Sequence, residues 1–210
     1  MEEATNEVEM TSTEREGKST DTTSNGTVIT PGNEVPNDGR EHMKTDRLPG
    51  AAAEFDIHFS KPEDVEHVIC TEMTLEDITD EHIDLTKRML KLLASINGLG
   101  LAAPQIGIKK TFFVYWETRQ NRPHVCYNPK YYGVGKPKQT WGEKCLTYGD
   151  LLFAIKRYKD VQAVWYEYDP DTKSFVKVTR ALRGLEAEVF QHETDHLVGK
   201  TLATDGVMIR

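Results

Sequence analysis

Gln191-His192-Glu193-Thr194-Asp195-His196 is the stretch on which the reading of this chain turns, because it contains the pattern H-E-x-x-H. On a helix, positions i and i+4 lie on one face, so His192 and His196 can reach one metal ion. Glu193 projects beside them, where it can take a proton from a water at that ion. Leu185, Val189, His192 and His196 follow 4-3-4 spacing, which continues the ligand face as an apolar stripe. That spacing predicts a helix over residues 185–197 and a greasy pocket with the metal at its floor. The pattern fixes only three positions, however, and alone fits satisfied core or surface histidines as well as ligands.

What completes the coordination shell decides between these. A metzincin would continue as H-E-x-x-H-x-x-G-x-x-H; Gly199 fits, but the third histidine position is Leu202. A thermolysin-like glutamate would come from a later helix, and 14 residues follow His196. A third ligand is therefore expected upstream.

Upstream, residues 80–97 carry Ile83, Leu85, Met89, Leu90, Leu92, Leu93 and Ile96 at near-helical spacing, with Asp80 as N-cap and Asn97-Gly98 as the stop. Residues 111–116 (TFFVYW) read as a buried strand. Residues 161–168 read as another, turned by Asp169-Pro170-Asp171 into a return strand at 174–179. Helix, strand, hairpin and helix without regular βαβ alternation predict an α+β fold with mostly antiparallel sheet.

Residues 1–50 are expected to form a disordered acidic Ser/Thr-rich tail: they hold 11 acids against 5 bases and no aromatic residue, too little apolar surface to offset chain entropy. Residues 51–76 are expected to be an irregular arm, and residues 77–210 the catalytic domain. The acidic start is expected to be neither a secretory signal nor an Arg-rich transit peptide. No run approaches the ~20 apolar residues that span a bilayer. A formal charge of -8 opposes direct phosphate-backbone binding. Three cysteines, Cys70, Cys126 and Cys145, form no disulfide framework, and a cytoplasmic monomer is expected.

Two further runs complete the picture. Gly98-Leu99-Gly100-Leu101-Ala102-Ala103-Pro104-Gln105 can be a tight turn after a helix. Trp141-Gly142-Glu143-Lys144-Cys145-Leu146-Thr147 holds a cysteine that, taken singly, suits a small core residue. Together, G-x-G-x-A-A-P-Q, then C-L-T, then Q-H-E-x-D-H resemble the peptide deformylase family, whose motifs usually read G-x-G-x-A-A-x-Q, E-G-C-L-S and Q-H-E-x-D-H. The resemblance covers roughly residues 77–205 and includes Tyr127-Asn128-Pro129 and Gly184.

It implies antiparallel sheets packed around a central helix that bears the H-E-x-x-H pattern. It also implies removal of the formyl group from N-formyl-methionyl peptides, with nascent chains at the ribosome as a candidate partner. Cys145, His192 and His196 would hold one divalent metal, characteristically Fe²⁺, with Zn²⁺, Ni²⁺ or Co²⁺ as substitutes. Glu193 would move the proton, and the Gln105 amide and Leu146 backbone N–H would stabilise the oxyanion. Leu99, Trp141, Leu185 and Val189 are candidates for the methionine pocket, and Gly100 would let the substrate backbone approach. Rival readings are a metallopeptidase or other amidase using the same site, or a non-catalytic binding relative.

This chain departs from the pattern at Lys144 (usually Gly) and Thr147 (usually Ser). An arginine often found seven residues after the cysteine is Leu152; Arg157 is the nearest source of positive charge. Glu188, one turn before His192, adds a carboxylate that reads as a solvated face or as a bar to acidic substrates.

Overall fold

A computed structural model describes residues 48–210, so the tail expected over residues 1–50 lies almost wholly outside the described residues. The 17-residue helix α3 (Asp80–Ile96) follows two short ones, α1 (Leu48–Glu54) and α2 (Pro62–Val65). Its cap is Thr79, one residue before the expected Asp80: the Thr79 hydroxyl accepts from His82 N at 3.2 Å. Asp80 instead places its charge in the first turn, favourably to the helix dipole. Asn97 ends the helix in the left-handed conformation (φ 54°), as an α-helix stop requires of Gly or Asn.

Strand β1 (Gly100–Ala102) is followed by a 3-10 turn at Ala103–Ile106 and by β2 (Phe112–Glu117). Then come β3 (Arg122–Val134), β4 (Lys138–Glu143), a 3-10 turn at Leu146–Tyr148 and β5 (Phe153–Arg157). The expected hairpin is β6 (Asp160–Asp169) and β7 (Ser174–Arg183), longer on its return strand than the sequence suggests. Helix α4 (Leu185–His196), α5 (Leu202–Asp205) and β8 (Val207–Met208) complete the chain.

All strand pairs are antiparallel, in one sheet of order β1-β2-β3-β6-β7 and another of order β4-β5-β8. Helix α4 lies on the larger sheet, where Ala187, Phe190 and Leu197 pack with Phe113, Tyr115, Trp165 and Leu182. Its opposite face is also buried but polar, carrying His192, Glu193 and His196. A helix covered on both sides can keep ionisable groups out of water at one surface while anchoring itself at the other. The fold is thus α+β, with antiparallel sheets around the H-E-x-x-H helix.

The arm before α3 packs onto this frame. Ile57, Val65 and Met73 are buried, each worth roughly 1.5–3 kcal/mol of transfer free energy. Backbone bonds from His67 N to Gly199 O (2.9 Å) and Cys70 N to Leu197 O (3.0 Å) stitch the arm to the end of α4. Gly199 is required there: a Cβ would stand 2.5 Å from the His67 carbonyl carbon. Among the described residues, no helix is long and apolar enough to cross a membrane.

Candidate active site

Three separate elements bring their side chains to one cavity of about 540 Å³. Helix α4 supplies His192, Glu193, Leu185 and Val189. The β1 segment supplies Leu99, Gly100 and Gln105, and the turn after β4 supplies Cys145 and Leu146. Every residue expected at the site therefore lines this cavity or, for His196, lies buried directly behind it, with one exception.

Trp141 is the exception. It is 62% exposed and does not line the cavity. The β4–β5 register shifts between Thr140 and Glu143, and Gly142 there has φ +76°. The bulge breaks the strand alternation, so Trp141 turns to solvent and Glu143 faces inward. The tryptophan that does line the pocket is Trp116, whose indole N–H donates to Asn121 Oδ1 at 2.8 Å; both line the cavity from the β2–β3 hairpin. Nothing in the local sequence marks that hairpin as a pocket wall, because its approach depends on tertiary packing.

The donor atoms converge. Cys145 Sγ lies 3.3 Å from His196 Nε2, which lies 3.2 Å from His192 Nε2. The three residues are buried and offer one ligand atom each within 4.8 Å of one another. Bonds of about 2.0–2.3 Å in a tetrahedron give donor–donor edges of roughly 3.3–3.7 Å, so these separations suit one small divalent ion. A thiolate with two imidazoles is also the donor chemistry that such an ion prefers. Burial alone would push the Cys145 thiol up, but His196 and His192 beside it hold it well below the usual range. The same burial disfavours an imidazolium at His192, yet Cys145 and Glu143 hold that ring well above its ordinary value.

His192 Nδ1 donates to Glu143 Oε1 at 2.6 Å, which orients the ring and leaves Nε2 toward the other donors. The signal for Glu143 in the sequence was its place two residues before Cys145, within the motif run Trp141–Thr147. Arg157 does not reach the cavity; it is buried behind Glu143.

Glu193 is 4% exposed, and its Oε2 has no hydrogen-bond partner among the described residues. Burial raises its carboxyl to about 7, against the opposing pull of His192 and His196. Gln105 is tethered at both ends of its amide. Oε1 accepts from Ala102 N at 2.8 Å, and Nε2 donates to Thr147 Oγ1 at 3.1 Å and faces Cys145 Sγ at 3.4 Å. Leu146 opens a 3-10 turn, whose leading N–H groups have no partner within the helix.

Comparison with known proteins follows the same residues. The family model described as polypeptide deformylase matches residues 60–207. A peptide deformylase of Borreliella burgdorferi is 34% identical over 125 residues, covering 60% of this chain and 73% of its own. One from Thermotoga maritima is 34% identical over 121 residues, covering 57% of this chain and 70% of its own. Among solved structures, the peptide deformylase of Synechococcus elongatus superposes with a TM-score of 0.59 at 28% identity, covering 70% of this chain and 78% of that one. The Thermotoga maritima enzyme gives 0.59 at 25% identity, covering 71% and 96%.

Proposed function

Since the chain belongs to the polypeptide deformylase family, whose members are enzymes, we propose that it hydrolyses the formyl group from N-formyl-methionyl peptides and releases formate. The observation that carries this reading is the cavity in which Glu193, the Cys145–His192–His196 cluster and Gln105 meet.

Cys145, His192 and His196 are the residues that would hold the metal, Fe²⁺ by family habit. A divalent ion there supplies Lewis-acid chemistry, lowering the pKa of water from 15.7 toward ~7 and polarising a carbonyl. Glu193 is the general base: burial raises its carboxyl above the ordinary carboxylate range, toward the neutral pH at which a group that both accepts and returns a proton works best. It takes the proton of the attacking water and delivers it to the amine nitrogen. The water oxygen bonds to the formyl carbon, the C–N bond breaks, and formate leaves the free α-amine of methionine. Gln105 Nε2 and the Leu146 N–H donate to the oxygen on which negative charge develops.

Leu99, Leu185 and Val189 give the methionine side chain an apolar wall, and Gly100 lets the peptide backbone come close. Nascent chains in the cytoplasm are the substrate source that this activity implies.

The test is formate release from a formyl-Met peptide by anaerobically purified protein, with metal content assayed in parallel and Glu193→Gln as control. Release by the wild type and almost none by the metal-loaded variant supports the reaction and its base. No release from protein carrying one Fe²⁺ or Ni²⁺ per chain would sink the reading, and a blocked peptide with an internal scissile bond would then be the next substrate.

A further inference from the structure

We propose that Arg157 is a positioning residue that clamps the end of β4, just before Cys145, to the histidine-bearing helix and so sets how tightly the Cys145–His192–His196 cluster holds its metal. The inference rests on the reading that this cluster binds a metal ion.

The guanidinium sits at the end of β5 with its side chain only 4% exposed. Its Nε and Nη2 fork onto the two oxygens of Glu143 at 3.2 and 2.8 Å, and Nη1 donates to Asp195 Oδ2. Glu143 lies two residues from Cys145; Asp195 lies beside His196 and three residues from His192. One planar cation therefore ties together the backbone segments that carry all three donors. Glu143 Oε1 is also the acceptor for His192 Nδ1, so the oxygen that aims the imidazole is itself held by Arg157.

Alternative restraints on these carboxylates are few. Tyr131 Oη reaches Asp195 Oδ1 only at 3.5 Å, at the limit of a hydrogen bond. Without Arg157, Glu143 would be free to turn away from His192, and two partly buried carboxylates would lose their guanidinium partner. The strand itself has other support: the backbone ladder of β4 and β5, in which Arg157 pairs with Lys138 through main-chain atoms, and the packing of Phe153 and Ile155 with Leu202 do not depend on the Arg157 side chain. Losing the clamp should therefore loosen the donor set more than the fold. A lysine could meet one carboxylate but could not form the fork and reach Asp195 as well. Removing such outer partners of metal ligands typically weakens affinity by roughly 10–100-fold.

The experiment is a Co²⁺ titration of full-length apo protein against a chromophoric chelator, reading both affinity and the d–d absorption of the bound ion. Circular dichroism is recorded on each variant. Wild type is expected to bind one Co²⁺ per chain with the strong absorption of a four-coordinate thiolate site. Arg157→Met is expected to bind about 10–100-fold more weakly with an altered band. Arg157→Lys should fall between, and the isosteric Glu143→Gln should shift in the same direction as Arg157→Met. If Arg157→Met does not fold, the lysine and Glu143→Gln variants decide. Folded variants with wild-type affinity and an unchanged band would overturn the proposal, whatever their turnover. A wild type that binds no Co²⁺ would instead overturn the metal reading on which it rests.

Discussion

The carboxylate of Glu193 rests against the α-carbon of Gly100. A Cβ at that position would stand 2.2 Å from Oε1 and 2.6 Å from Cγ, so no larger residue can share the space with Glu193 where it now lies. The glycine serves contact rather than conformation, because its φ is not in the left-handed region. Gly100→Ala should therefore displace Glu193, the proposed general base, while leaving Cys145, His192 and His196 untouched. Loss of a positioned acid–base group costs about 10²–10⁴-fold in rate. The expected result is a fall of that order in kcat for formate release at unchanged metal stoichiometry; turnover within threefold of wild type would show that Glu193 has another working position.

Gln105→Ala removes the proposed oxyanion donor, a side-chain amide held in place by Ala102 N and Thr147 Oγ1. Deleting one oxyanion donor typically costs about 3–4 kcal/mol of transition-state stabilisation, or ~10²–10³ in kcat. Steady-state kinetics on a formyl-Met peptide should show the loss in kcat with KM little changed. A loss confined to KM would assign Gln105 to ground-state binding.

The two halves of the site differ in how far sequence reveals them. His192, Glu193 and His196 are legible because helical spacing alone puts them together, and Cys145 and Gln105 are reached through family motifs. Trp141 misled because a place in the run beside Cys145 does not fix which way a side chain points, and the bulge at Gly142 turns it to solvent. The Arg157 clamp joins β4, β5 and α4, and a pairing between residues 14 and 38 positions apart leaves no local pattern. Strand β3 was hidden by Pro123 and by the bulge at Asn128-Pro129. There Asn128 adopts φ 49° and its side-chain amide takes over the bonding, gripping Met73 N and O at 2.8 and 2.9 Å.

The position of Trp141 yields its own test. An indole 62% exposed and outside the cavity should contribute nothing to the methionine pocket, so Trp141→Ala should leave kcat/KM within about twofold. Leu185→Ala shortens a cavity wall and should lower kcat/KM by roughly 10-fold or more, the effect of a few methylenes in an apolar pocket. Formyl-Met and formyl-norleucine peptides measured side by side would check both. The reverse ranking would mean that Trp141 folds over bound substrate.

Acid should unfold the protein partly through Glu117, which is not among the residues lining the cavity. Its carboxylate is 1% exposed at the end of β2. It is forked by Arg180 with two bonds of 2.8 Å and faces His124 Nε2 at 3.1 Å. The Arg180 bonds, joined by His124 and opposed by burial, hold its carboxyl down to about 2 from an ordinary 4.5. A carboxyl with a folded pKa below its unfolded one lends stability that is present above the unfolded value and is lost as pH falls through the folded one. The contribution is on the order of 2–3 kcal/mol, less than the full shift because Arg180 is partly exposed to solvent. Glu117→Gln should thus be less stable than wild type at pH 7, with the gap narrowing from about pH 5 and nearly closed at pH 2. Urea unfolding at pH 7, 4 and 2.5 measures it directly. Parallel stability curves for the two proteins across that window would rule Glu117 out as a source of the acid sensitivity.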